Sequence, residues 1–423
     1  MRSTIKFLLL IMLPLLSISC NLANSPESNN LATISIFALE DAGLAPVAIS
    51  LEAVLFNTDE GRLGLFDMND PETEIPSQLE NGSIPLLWVM FDHASGDKTF
   101  ALKMLPPEAP VFENSSILID ESSTTLLMHG SPVLQYHHAD MLPPEGTNPS
   151  LRRSAFIHPL WSPQGAVLTH IQPPDHYHHY GIWNPWTSTT IEGIGDVDFW
   201  NLAGGQGRVQ FGGYLGTEKG PVFAGIKVRQ EHVAYPGQDE NNTLLAINEV
   251  WDVRAWDAGG DAVTLVDLTT TLNSPLPDGI LFNAYRYGGG IGYRATDNWT
   301  RDNSTVLTSE GKTRSNTDAS KARWCIIEGQ TDTKAGRSGV LFLSHPSNRS
   351  HPEPMRMWDE NSVGGRGEIF FQFTPIRHHD WMIEPNKSYT LRYRMIVYDG
   401  EITAEKAEEY WKAFAFGPII HMQ

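Results

Sequence analysis

The run Pro174-Asp175-His176-Tyr177-His178-His179-Tyr180-Gly181-Ile182-Trp183, continued by Asn184-Pro185-Trp186, crowds three imidazoles, a carboxylate, two phenols and two indoles into one short segment. Imidazole suits proton transfer near neutral pH or metal ligation, and indole and phenol rings suit stacking on a ligand face. Folding demands no such cluster, so the chemistry is placed here. In an extended loop His176 and His178 share one face, while Asp175, Tyr177 and His179 share the other. His176 and His179 are the first candidates for acid–base work. A divalent metal on His176, His178 and Asp175 is an alternative if the loop bends, although the spacing matches no dedicated metal pattern. Plain structural hydrogen bonding is a third reading. No other cofactor is expected.

Further candidates lie along the chain. Tyr136, in Gln135-Tyr136-His137-His138, sits at a strand end where its hydroxyl can reach a cleft, and His158 precedes Pro159. Both stand behind the loop histidines as catalytic candidates. Trp183 or Trp186 offers a platform for a sugar ring. Tyr285-Arg286-Tyr287-Gly288-Gly289-Gly290-Ile291-Gly292-Tyr293-Arg294 joins glycines, which let another backbone approach closely, to two guanidinium forks suited to a carboxylate or sulfate. Glu249 shares a strand face with Trp251, as a base in a cleft or a surface charge. His345, before Pro346, is either a ligand contact or a structural turn residue. Gly204-Gly205-Gln206-Gly207 reads as a turn rather than a phosphate cradle.

These residues must be carried by strands. Short β-patterned runs such as Ala246–Arg254, Ala262–Leu272 and Tyr389–Tyr398 recur, bounded by Gly, Asn, Asp or Pro, and 36 Gly with 28 Pro favour turns over long helices. Helical periodicity is clear only at Ala404–Phe414. The pattern predicts an all-β, antiparallel sandwich at 125–418, a small β domain at 32–120 and one C-terminal helix. The hydrophobic fraction of 41% and 12 Trp supply a sizeable core, and a net charge of −20 argues against a nucleic-acid partner. Residues 1–20 read as an export leader, with Arg2 and Lys6 ahead of the apolar Phe7–Leu16 and Cys20 as the lipidation site, followed by a tether at 21–31. This implies a lipid-anchored protein of the periplasm or outer membrane, touching the membrane only through that lipid. With Cys20 modified, Cys325 has no partner and is expected to be a buried thiol.

The blocks Arg153…His158-Pro…Ser162-Pro-x-Gly165, Asp175-His176-x-His178-His179-x-Gly181-Ile182, Asp198-Phe199-Trp200, Tyr287-Gly288-Gly-x-x-Gly292-x-Arg294, His345-Pro346-x-Asn348 and Leu391-Arg-Tyr-Arg…Tyr398-Asp399-Gly400 carry a resemblance. From about 130 to 415 the chain resembles the bacterial family catalogued as "methane oxygenase PmoA", whose name fits poorly because the chain has no run of spans. The resemblance implies a galactose-mutarotase-like β-supersandwich and an exported, carbohydrate-active protein. One branch is similar to an ulvan-oligosaccharide dehydratase that removes water across C4 and C5 of a terminal uronic acid. Such an elimination needs a base, an acid for the leaving hydroxyl and a carboxylate clamp, for which Arg294 and Arg286 are the candidates. The alternatives are a mutarotase-like epimerase using a His pair with Glu249, a non-catalytic carbohydrate-binding lipoprotein, and a metal-dependent oxygenase.

Overall fold

The computed structural model describes residues 30–260 and 262–423. The leader, Cys20 and the tether as far as residue 29 lie outside the described residues. Asn30 and Leu31, read as the end of the tether, already belong to the strand Asn30–Phe37.

Alternation of buried and exposed residues builds the small N-terminal unit. Ala32, Ile34 and Ile36 point inward from the first strand, and Val47 and Ile49 from Leu44–Ser50. A five-stranded and a three-stranded sheet share this core with Leu65, Val89, Phe91 and Leu102. The chain's last strand, Ile419–Met422, pairs antiparallel with Asn30–Phe37 and closes the edge of the five-stranded sheet. The strand Ser115–Ile119, counted with the small domain from sequence, forms an edge of the large sandwich instead.

The sandwich consists of a nine-stranded and an eight-stranded sheet. The long antiparallel strands Phe223–Ala234, Leu244–Trp256, Val263–Asn273 and Ser388–Asp399 form the middle of the eight-stranded sheet. Their inward side chains, including Val228, Trp251, Val253, Leu268 and Met395, meet Leu126, Ile157, Ile182, Tyr293 and Phe371 of the facing sheet in one continuous core. The all-β antiparallel class therefore holds, with Ala404–Ala415 the only α-helix among the described residues. Thr403 caps that helix by accepting from the Lys406 amide. Its buried Tyr410 and Trp411 cover the outer face of the eight-stranded sheet beside Trp324, Leu343 and Ile396. Cys325 is fully buried and free, and burial pushes its thiol pKa up, as suits an inert core residue. No helix among the described residues is long and apolar enough to cross a membrane.

The outer face of the nine-stranded sheet carries the site. Ile182–Trp183, Ile291–Arg294 and Phe370–Phe373 are neighbours there. The glycine run before Ile291–Arg294 is needed for packing. A Cβ on Gly289 would lie 2.0 Å from the Phe373 carbonyl oxygen, and one on Gly290 would lie 2.5 Å from the Tyr393 hydroxyl. Gly289→Ala is therefore expected to destabilise the protein by about 1–3 kcal/mol through forced backbone displacement, measured as a lower denaturant midpoint.

Candidate functional site

The His-rich loop is closed at its base by a bridge between Ile171 and Tyr180 and by the Gln172 amide donating to the His179 carbonyl at 2.8 Å. Two turns follow one another: His176 N–H donates to the Pro173 carbonyl and His179 N–H to the His176 carbonyl, each at 2.9 Å. The turns break the alternation expected of an extended loop. The three imidazoles consequently gather on one side, with His176 4.8 Å from His179 and 5.4 Å from His178 between ring centroids. Beneath them lies an aromatic floor of Trp183, Trp200, Trp358 and Phe370.

The loop histidines divide by environment. His179 is 1% exposed, packs on Phe370 at 4.9 Å and Trp183 at 5.2 Å, and burial holds its pKa well below the ordinary value, so it stays neutral. His178 lies 5.6 Å from Trp200, and burial followed by the nearby His176 lowers its pKa to about 4. His176 lines a cavity of about 450 Å3 together with Asp175, Tyr287, Asp318, Arg356 and Trp358. Its Nδ1 is 2.7 Å from Asp175 Oδ2, which leaves Nε2 for a ligand. Burial works against the Asp175 carboxylate, but the His176 hydrogen bond and the Arg294 charge outweigh it and hold its pKa below the usual value. This is the arrangement of a carboxylate that fixes an imidazole's tautomer and orientation.

Behind the pair stands Arg294. Its guanidinium is fully buried, hydrogen-bonded to Glu368, 3.6 Å from Asp175 Oδ1 and 4.8 Å from the Trp358 ring. It orients Asp175 and cannot reach a substrate, which corrects its expected role as carboxylate clamp. Arg314, also buried, staples the cavity wall by donating to the carbonyls of Trp358 at 3.1 Å and Glu368 at 2.7 Å, and to that of Gly367. Tyr287 and Arg356 also line the cavity, and the Tyr287 ring centroid lies 5.1 Å from the Arg356 guanidinium and 5.0 Å from that of Arg286, which is outside the lining. Arg356 donates to the Tyr287 hydroxyl at 3.3 Å and pairs with Asp318 at 3.0 Å. Arg286 is exposed and in no ion pair among the described residues.

Several other expectations are corrected by burial or by the contacts each side chain makes. Trp183 and Trp186 are both 0% exposed, Trp186 lying 4.4 Å from Phe282, so neither forms a platform; Trp358 and Tyr287 supply the cavity's aromatic surface. Tyr136 is sealed between the sheets, receiving a hydrogen bond from Gln230 at 3.4 Å. Glu249 faces the same interior because it follows the inward alternation of Leu244–Trp256. It accepts from Trp251 Nε1 at 2.7 Å and Thr270 Oγ1 at 2.5 Å, and lies 2.6 Å from His232 Nε2. His158 lies within the strand Phe156–Leu160 with Nδ1 2.9 Å from Thr169 Oγ1, and burial lowers its pKa to about 4. His345 Nδ1 caps a turn at Ser347, accepting from its amide at 3.1 Å, while its ring packs on Phe414. The conditional metal set also fails on geometry. Among the described residues no group of three His, Cys, Asp or Glu could hold an ion, and Asp175 and His176 spend their facing atoms on each other.

Tyr287, Asp318, Arg356, Trp358 and Glu368 were not singled out from sequence. The one available signal was Tyr287 beside the glycine run. Trp358 and Arg356 arrive from the strand Glu353–Met357 and its exit, far along the chain from the loop they meet.

That strand also begins with a buried acid. Glu353 is 0% exposed and accepts from Ser344 Oγ at 2.6 Å, Asn348 Nδ2 at 2.9 Å and Tyr393 OH at 3.1 Å. Burial outweighs these bonds and raises its pKa to about 7. The folded state thus prefers protonated Glu353. Its contribution to stability is full below the unfolded value near 4.5 and is lost as pH rises through about 7. Glu353→Gln, a neutral mimic, is expected to remove this part of the pH dependence and to make the protein more stable at pH 8, measured by thermal melts at pH 5 and 8.

Among solved structures, the chain is similar to an alpha-mannosidase from Enterococcus faecalis V583 at 8% identity and TM-score 0.41, covering 93% of this chain and 46% of that one. It therefore spans less than half the mannosidase's length. It is also similar to a galactose mutarotase related enzyme from Lactobacillus acidophilus, at 8% identity and TM-score 0.32, covering 68% of this chain and 98% of that one. A search among curated proteins finds no match. Residues 123–412, which include every residue lining the His176 cavity, match a family described as "Family of unknown function (DUF6807)", and the chain belongs to that family.

Proposed function

We propose that the His176 cavity is the acid–base site of a carbohydrate-active enzyme, a hydro-lyase acting on oligosaccharides that end in a uronic acid. One observation carries this reading: an Asp175–His176 pair opens on a cavity that Tyr287 and Arg356 also line, with the exposed Arg286 guanidinium 5.0 Å from the Tyr287 ring. The sequence resemblance to a family with an ulvan-oligosaccharide dehydratase branch supports the same choice of substrate.

In this reading Asp175 accepts a hydrogen bond from His176 Nδ1–H, which leaves the Nε2 lone pair to take the proton from C5 of the uronate. The C5–H electron pair forms the C4=C5 double bond, and the C4–O bond breaks. The departing hydroxyl takes a proton from the Tyr287 hydroxyl and leaves as water. The His176 proton then returns to Tyr287 through solvent. Arg286, exposed and in no ion pair among the described residues, reaches in from beside Tyr287 to hold the sugar carboxylate, with Arg356 steadying Tyr287 and the charge that grows on the carboxylate. Neither His178 nor His179 serves as the acid, since neither lines the cavity. An epimerase using Glu249 loses its second group, because that carboxylate lies inside the sandwich. The leader that ends at Cys20 would anchor the enzyme by lipid at the periplasmic or outer membrane.

The test is incubation with saturated uronate-terminated oligosaccharides. A rise in ultraviolet absorbance from the conjugated double bond, with loss of the mass of one water, is expected. Unchanged mass with exchange of the C5 proton would indicate an epimerase. Binding without turnover would indicate a carbohydrate-binding protein.

A further inference from the structure

A second hollow of about 900 Å3 contains none of the candidate catalytic or binding residues discussed so far. It is linked to the His176 cavity through one pair of hydrogen-bonded loops. Segment 296–303 gives Thr296, Asn298 and Asn303 to the larger hollow, and segment 359–367 gives Asp359 and Ser362 to the smaller. The two segments are tied together: Arg366 Nη2 donates to the Asp297 carbonyl at 2.6 Å, and the Arg301 amide donates to the Arg366 carbonyl at 3.2 Å.

The hollow is lined by unspent polar groups. Asn298 and Gln330 are exposed, and neither side-chain amide makes a hydrogen bond among the described residues. Gln164 uses only its Oε1, which accepts from the Ala335 amide at 3.3 Å, so its amide N–H groups remain free. Asp332 is exposed and in no ion pair among the described residues. Val167, 40% exposed, adds one apolar patch. Arg337, the one cation in the lining, is committed to Glu328 at 3.1 Å. Free side-chain amides present donor and acceptor side by side and match vicinal hydroxyls. With its only cation already paired, the hollow does not suit an anion, and its polar lining does not suit a lipid.

We propose that this hollow is a binding subsite for neutral sugar residues of the same oligosaccharide whose acidic end enters the His176 cavity. The inference rests on the reading of that cavity given above. The substrate is then a longer oligosaccharide rather than a mono- or disaccharide.

Titration calorimetry with a saturated uronate-terminated disaccharide and hexasaccharide, obtained by partial hydrolysis of a uronate-containing polysaccharide, tests it. The hexasaccharide is expected to bind about tenfold or more tighter than the disaccharide, the worth of one or two net hydrogen bonds. Asn298→Ala with Gln330→Ala is expected to remove that gain while leaving disaccharide affinity and melting temperature unchanged. Gln330→Trp, which fills the hollow from an exposed position, is expected to remove it too. An undiminished gain in both variants, or no length dependence in the native protein, overturns the subsite. Disaccharide dehydration without a length gain leaves the cavity reading standing and this one fallen. A variant-sensitive gain without loss of water keeps the subsite and the seating of the acidic end in the His176 cavity, and overturns only the dehydration.

Discussion

Asp175→Asn is expected to lower turnover of a uronate-terminated oligosaccharide about 10²–10⁴-fold while leaving the fold and substrate affinity nearly unchanged. The Asp175 carboxylate accepts from His176 Nδ1 at 2.7 Å and so keeps the Nε2 lone pair on the cavity side. An asparagine can turn its NH2 toward Nδ1, which moves the ring proton to Nε2 and leaves no base facing the substrate. His176→Ala removes the base itself and should cost at least as much. The loss should appear in kcat rather than KM, because neither change touches Arg286 or Tyr287. Retention of more than a tenth of native kcat by His176→Ala would move the chemistry elsewhere in the cavity.

Arg294→Met is expected to cost stability rather than binding, on the order of 3–5 kcal/mol. The guanidinium is fully buried, and Glu368, its hydrogen-bonded partner, is only 5% exposed. Removing Arg294 leaves that carboxylate buried with only the peripheral Arg366 at 3.3 Å, and strips Trp358 of the cation 4.8 Å from its ring. Adding Glu368→Gln should restore much of the loss by deleting the stranded charge. Arg294→Lys should fall between the native protein and the methionine variant, since it keeps the charge but not the planar fork. A stable Arg294→Met protein with weakened affinity for uronates would instead make this arginine the substrate clamp that its sequence context suggested.

The contrast between Arg294 and Arg286 shows how far the sequence can be read. Local pattern identified both, together with the glycines that let the neighbouring strand pack against Phe373. Their roles depend on which face of a strand or loop each occupies and on what the partner sheet brings to it. Arg294 ends a buried strand and meets Glu368, whereas Arg286 lies in the exposed approach to that strand. Strand alternation was legible as the all-β class, and helical periodicity as the terminal helix. The same alternation decides that Glu249 and Tyr136 face the interior, but sequence alone does not say which face of those strands is covered. The His-rich loop was legible as a cluster, while its two turns, and hence the separation of His176 from the buried His179, depend on hydrogen bonds between residues three apart. Trp358, Arg356 and Glu368 escaped because no local signal links them to a loop far away in the chain. For the same reason the closing strand Ile419–Met422 could not be assigned to the N-terminal sheet.

The most direct test is a structure of the Asp175→Asn protein with a saturated uronate-terminated disaccharide bound. The account predicts the terminal uronate inside the His176 cavity, its carboxylate on Arg286 and its C5 about 3–3.5 Å from His176 Nε2, the separation at which proton transfer begins. A sugar bound outside that cavity, or bound with C5 facing the Trp358 wall and no imidazole within reach, would contradict it.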